Sequence, residues 1–232
     1  MTTPNRISSQ LRLPAPDPSV VALSERYLPQ DARVLDAGTG NGRNALYLAQ
    51  QGHSVTAIEK DPAQLQKACE LAQTLGSGAL RLRFQEGDIE NPLFDSESFD
   101  AVFITRVLQE LPSIARGVHA LKEMQRITKV CGLHVVTTYI GSPKERDIMR
   151  HLAIWQPGNI KHIYAENQWQ IVHADQQIRP LEIHNDKPIL NSHDEIVARK
   201  LPTPAPSPQT DLIEYLRRVD PEQAEFFESS RR

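Results

Sequence analysis

Apolar positions along this chain switch repeatedly between the strand period and the helix period. Val34, Leu35 and Ala37 form a compact apolar run over residues 33–37, as in a strand buried on both faces. In residues 43–50, Ala45, Leu46 and Ala49 lie three and four positions apart and so share one face of a helix. Gly52 ends that helix, and residues 55–59 return to strand character. Asp61-Pro62 predicts the next helix start, because aspartate caps free amides and proline tolerates the first helical position. Leu65, Ala68, Leu71 and Ala72 then fall on one face. Residues 80–86 read as a third strand and the β-forming run 99–105 as a fourth, central one. A helix over 115–128 turns Val118, Leu121 and Met124 inward, and Gly132 leads into a fifth strand at 133–139.

Five alternations of strand and helix predict an α/β fold, a doubly wound Rossmann-like sheet that is mostly parallel. Residues 180–184 and 195–200 are expected to close it as a strand pair, with an antiparallel final strand, since so short a separation leaves little room for a crossover helix. The rhythm is lost over 141–177, where Trp155, Tyr164 and Trp169 stand among charged residues, and this segment is expected to form a lid. Pro14, Pro16 and Pro18 mark residues 1–18 as a flexible arm, leaving 19–200 as the main domain. Residues 201–209 are a proline-rich linker, and 210–232 a short helical tail that docks on its own domain or on a partner.

The 232 residues, 39% of them hydrophobic, suffice for one substantial core. A formal charge of -3 supplies no global positive field to gather nucleic acid or an anionic membrane. The chain has no signal-like apolar lead and no apolar window long enough to span a bilayer, so a cytoplasmic protein is expected. Cys69 and Cys131 lie far apart, and the eight histidines form no HExxH arrangement, so no metal centre is expected.

The chemistry concentrates after the first strand. Gly38, Gly40 and Gly42 alternate behind Asp36, whereas a dinucleotide grip places its third glycine further on, inside the helix. Such glycines let the backbone wrap a ribose or an amino-acid moiety, Asp36 can receive an ammonium group, and Glu59 at the end of the second strand can accept both hydroxyls of a ribose. In this order of residues the chain resembles the class I methyltransferases that use S-adenosylmethionine, over about residues 19–200. The resemblance assigns Asp36, Gly38, Gly40 and Gly42 to the methionine side of that cofactor and Glu59 to its ribose. It sets Lys60 beside the adenine, Asp88 of Gly87-Asp88-Ile89 on the adenine amino group and Ile89 against the ring, with Thr105 beneath the sulfonium.

Within that class, residues 40–49 and the short C-terminal strands are similar to the tellurite-resistance TehB family, which methylates tellurite or selenite oxyanions. The resemblance implies a small-molecule acceptor, with His184 at the family's histidine position and Asn185 where the family carries arginine. Lys129-Val130-Cys131-Gly132 also departs from the family's Lys-Pro-Gly-Gly turn. Arg106 suits an anionic acceptor, with an ion pair to Glu110 as its structural alternative. His184 has the ordinary pKa of a general base, needed if the acceptor is an amine or a hydroxyl. A noncatalytic cofactor-binding module and a nicotinamide oxidoreductase are the rival readings. Nucleic-acid methylation ranks below them, since no Asn/Asp-Pro-Pro-Tyr/Phe motif occurs.

Overall fold

A computed structural model describes residues 14–149, 151–165, 168–179, 181–184 and 187–202. Residues 1–13 of the expected arm, the linker beyond 202 and the expected tail lie outside them. The chain opens with helix α1 (Pro18–Tyr27) and continues through strand β1 (Arg33–Ala37), α2 (Arg43–Gln50), β2 (Ser54–Glu59), α3 (Pro62–Thr74), β3 (Leu82–Glu86) and β4 (Phe99–Thr105). It then runs through α4 (Ile114–Ile127), β5 (Thr128–Tyr139), α5 (Pro143–Ile148), α6 (Asn159–Ala165), β6 (Trp169–Gln177), β7 (Glu182–His184), β8 (Lys187–Ile189) and β9 (His193–Lys200).

Seven strands form one sheet in the order β3-β2-β1-β4-β5-β9-β6. The first five in that order are parallel, while β9, the last strand of the chain, runs antiparallel to both β5 and β6. This is the doubly wound, mostly parallel α/β sheet with an antiparallel final strand that the strand-helix rhythm predicts. Its core lies on both faces, as continuous apolar strands require. On one face Val34, Phe103, Val135 and Val197 pack with Val20 and Leu23 of α1 and Ala45 and Leu48 of α2. On the other, Leu35, Val102, Ile104 and Val136 pack with Leu121, Met124 and Ile127 of α4.

The helices start where polar caps satisfy their free amides. Asp17 accepts from the Ser19 amide at 3.0 Å, Asp61 from Ala63 at 2.8 Å and Ser113 from Arg116 at 3.3 Å, each stabilising its helix by about 1 kcal/mol. Asp17 and Pro18, expected in the flexible arm, are therefore the cap and first residue of α1.

The closure of the sheet differs from expectation. The partner of β9 is β6, inside the segment expected to form a lid, whereas residues 182–184 pair with β8 in a separate two-stranded ribbon. The reason lies in the aromatics. Trp155 and Tyr164 are fully buried, and the Trp169 ring lies 4.4 Å from that of buried His134. Their apolar area holds α6 and the start of β6 against the core, and β6 then continues along the edge of β9. A smaller cluster of Met149, Ile154 and Leu190, with Tyr139, Leu152 and Leu181 packed on it, completes this side. Among the described residues no helix is long and apolar enough to cross a membrane, and no His, Cys, Asp and Glu side chains group in a way that could hold a metal ion.

Candidate active site

The chain order turns back between β1 and β4, and the carboxyl ends of β1, β2 and β4 surround the crevice that such a reversal opens. The glycine-rich turn lines it. Gly38, at φ 74°, has no room for a side chain, because a Cβ there would lie 2.4 Å from Cγ2 of Val107. Gly40, at φ 56°, is the opposite case: apart from its chain neighbours, no atom of the described residues lies within 4 Å of where its Cβ would stand, so there is open space beside its backbone. Gly42 caps α2 in the left-handed conformation.

Asp36 is the penultimate residue of β1 and is 1% exposed. Its Oδ2 accepts from the Thr39 hydroxyl at 2.6 Å. Burial pushes its pKa up to about 6, against the opposing hydrogen bonds from Thr39 and the Ala45 amide. Glu59, at the end of β2, reaches across to the turn. Its Oε2 accepts from the Gly40 amide at 2.8 Å, and its Oε1 from the Lys60 and Asp61 amides, each at 2.9 Å. The turn thus links the two carboxylates: Thr39 bonds Asp36 and the next residue, Gly40, bonds Glu59.

Beyond Glu59 lies a cavity of 390 Å³ lined by Ile58, Lys60, Gly87, Asp88, Leu93 and Phe94 among others. Lys60 donates from Nζ to Oδ2 of Asp88 at 2.6 Å, and the Glu90 amide donates to Oδ1 at 3.0 Å. Burial works to raise the Asp88 pKa, but these two hydrogen bonds together with the charges of Lys60 and Arg116 outweigh it and hold the carboxyl below its ordinary value. Ile89 is a core residue in the cluster with Ile58 and Ile104, and Ile58, Leu93 and Phe94 supply the apolar wall of the cavity.

The β4 side is built differently. Thr105, the last residue of β4, is buried beside its register partner Thr137 on β5, and among the described residues neither hydroxyl has a hydrogen-bond partner. Arg106 follows at φ 54°, a conformation that residues other than glycine seldom hold and that clusters at functional sites. Its amide donates to the Thr137 carbonyl at 2.8 Å, and buried Gln109 donates from Nε2 to its carbonyl. The Arg106 guanidinium pairs with Asp17, Nε to Oδ2 at 3.2 Å, rather than with Glu110, and lies 5.9 Å from the centre of the Tyr139 ring.

Asp36, Gly38, Gly40, Gly42, Glu59, Lys60, Asp88, Thr105 and Arg106 all lie at the carboxyl edge of the parallel strands. His184 ends β7 and pairs with Lys187 in the separate ribbon; its side chain lies outside the described structure. Asp17, Gln109, Thr137 and Tyr139 went unread in the sequence. Asp17-Pro18 repeats the helix-start signal of Asp61-Pro62 and was legible by the same rule, whereas nothing local marks the other three.

Residues 35–136 match the family described as a methyltransferase domain. An uncharacterized methyltransferase of Bacillus subtilis, YodH, is 34% identical over 103 residues, covering 44% of this chain and 41% of YodH. The chain spans about half the length, or less, of the curated relatives it matches. The crystal structure of the YcgJ protein from Bacillus subtilis aligns with a TM-score of 0.64 at 16% identity, over 79% of this chain and 98% of that one. That of TehB from Haemophilus influenzae aligns with a TM-score of 0.64 at 22% identity, over 78% and 61%. At these identities the two structures show the fold alone, the mostly parallel Rossmann-like sheet described above.

Proposed function

We propose that this chain, through the S-adenosylmethionine-dependent methyltransferase domain its residues 35–136 carry, methylates a small anionic acceptor of the oxyanion or thiolate kind. The observation behind the methyl-transfer reading is the linked unit of Asp36, the open Gly40 backbone and Glu59 at the strand-order reversal. Its features suit the cofactor. Gly40 leaves space beside its backbone, the Thr105 hydroxyl has no partner among the described residues, and the cavity beside Asp88 has an apolar wall for a purine.

In this reading ionised Asp36 holds the ammonium group and Asp88 accepts from the adenine amine, with Lys60 packed alongside. Glu59 binds the ribose. An ionised carboxylate offers about four lone-pair sites, and backbone amides occupy three of those on Glu59. A diol therefore takes the remaining site or exchanges with the Gly40 amide. The bound sulfonium supplies an electrophilic methyl group, and the protein aligns the acceptor and excludes water. Arg106 draws in the acceptor anion. An acceptor that already carries its charge and lone pair needs no base, so His184 has a role only where the acceptor must lose a proton.

Calorimetric titration with S-adenosylmethionine tests the first half: binding is expected, and binding of NADH in its place would overturn the reading. A mass-spectrometric acceptor screen over tellurite, selenite, thiols and small amines tests the second. Methylated product from an anionic small molecule is expected, falling sharply in Arg106→Ala. Product from a protein or RNA alone would overturn the choice of acceptor, as would full activity in Arg106→Ala.

A further inference from the structure

Asp17 is more than a helix cap. An N-cap needs one acceptor oxygen, and Oδ1 supplies it to the Ser19 amide at 3.0 Å. The second oxygen, Oδ2, is surplus to the helix, and the residue is 98% buried, at 2% exposure. A buried carboxylate oxygen is costly unless a hydrogen-bond donor or a cation faces it. Among the described residues no donor hydrogen-bonds to this oxygen, but two cations face it as ion pairs: Nε of Arg106 lies 3.2 Å away and Nη2 of Arg43, the first residue of α2, 3.8 Å away. The Asp17 amide also donates to buried Asn44 at 2.9 Å, fixing this cap to the helix that follows the glycine turn.

Arg106 needs such fixing. Its side chain is 43% exposed, and a free arginine surrenders considerable rotamer entropy when it orders on a ligand. Asp17 approaches it through Nε and Tyr139 lies across its guanidinium. That leaves the Nη1/Nη2 edge, the one that pairs with both oxygens of an oxyanion or carboxylate, without a hydrogen bond to any described residue.

We infer that Asp17 is a positioning residue of the acceptor site: its buried charge holds the Arg106 guanidinium, Nε nearest, so that the Nη edge is presented to an anionic group on the acceptor. The inference rests on the proposed methyl transfer to an anionic acceptor. Two guanidiniums share the one carboxylate, so the mouth of the site keeps a positive excess for that anion.

Asp17→Asn separates the two duties, because asparagine caps helices as well as aspartate does but carries no charge. The Arg106 Nε–H signal in the NMR spectrum, identified by its loss in Arg106→Lys, is expected to shift or broaden in Asp17→Asn while the melting temperature moves by less than about 4 °C, the change that about 1 kcal/mol would bring. With S-adenosylhomocysteine bound, the Kd for selenite as the probe anion is expected to rise roughly tenfold, the cost of about one charge-assisted contact. Affinity for S-adenosylhomocysteine itself should stay within about twofold, and Asp17→Glu should recover part of the loss. Asp17→Ser, which also caps, gives the same reading should the asparagine variant fail to fold. An unchanged Arg106 signal together with unchanged selenite affinity would overturn the inference while leaving methyl transfer intact. Wild-type protein that takes S-adenosylhomocysteine but no selenite would overturn it as well. Failure of S-adenosylhomocysteine to bind would instead sink the underlying cofactor reading.

Discussion

The two halves of the crevice are built on opposite plans. On the β1–β2 side, polar groups are satisfied within one short stretch of chain: Thr39 on Asp36, and the Gly40, Lys60 and Asp61 amides on Glu59. On the β4–β5 side, three separate stretches of chain meet, Asp17 before α1, Arg106 and Gln109 after β4, and Thr137 and Tyr139 on β5, with a residue at positive φ and two buried hydroxyls lacking partners among the described residues. The first half is satisfied within itself, and the backbone sets its shape. The second holds strain and unspent hydrogen-bonding capacity, which fold stability alone does not favour and which ligand contacts would use.

The largest effect should come from breaking the first plan at Gly38. A methyl group there meets Val107 at 2.4 and 2.9 Å and must also hold φ 74°, so Gly38→Ala should lose on the order of 3 kcal/mol in urea unfolding. Gly40→Ala has the positive φ but open space, and should lose only about 1 kcal/mol. Its cofactor affinity should nevertheless fall at least as far as its stability, because the added methyl occupies the crevice. Equal stability losses in the two variants would show that the glycine turn is not divided between packing and ligand approach.

Glu59→Ala removes an acceptor shared by three amides. Affinity for S-adenosylmethionine should drop roughly a hundredfold and stability by about 1–2 kcal/mol. An unchanged dissociation constant in calorimetry would take Glu59 out of the ribose site and leave it as a brace of the turn.

Asp36 sharpens the comparison through pH. Its folded pKa of about 6 exceeds the ordinary value of 3.8, so over that interval the folded state holds a proton that the unfolded state has released. Burial of this group therefore lowers stability as pH rises from about 4 to 6, with no further change above. Binding a cation runs the other way: affinity for S-adenosylmethionine should climb through pH 6 with proton release, and Asp36→Asn should flatten both profiles. Affinity that is level from pH 5 to 8 in the wild type would remove the ammonium contact from Asp36.

The same contrast explains what the sequence made legible. Strand-helix rhythm, Asp-Pro helix starts and the Asp36-to-Glu59 unit are all local, so their periods and spacings could be read directly. The antiparallel direction of β9 was readable too, but its partner was not. Trp155, Tyr164 and Trp169 stand among charged residues in sequence, and only the packed fold shows them as core anchors that carry β6 to the edge of β9. Arg106 could be picked out, whereas its partner lies on α1, and the nearer Glu110 was the natural but incorrect choice. Pairings of that kind depend on how helices close over the sheet, which no short window of sequence records.

The smallest expected effect tests the second half at its least conspicuous pair. Thr105 and Thr137 face each other in register, buried, with neither hydroxyl bonded to a described residue. Valine has nearly the same shape, and exchanging an unpartnered buried hydroxyl for a methyl relieves a desolvation penalty of about 1 kcal/mol. Thr137→Val should therefore hold or raise the urea midpoint. If the hydroxyls serve a ligand, the same variant should lose affinity or turnover by roughly fivefold to tenfold, the worth of one neutral hydrogen bond. Stability gained against function lost is the signature expected of a site kept under-satisfied for its ligand. A valine variant that is destabilised would mean that the threonine hydroxyls are bonded within the fold, and the contrast between the two halves would then rest on Arg106 and Asp17 alone.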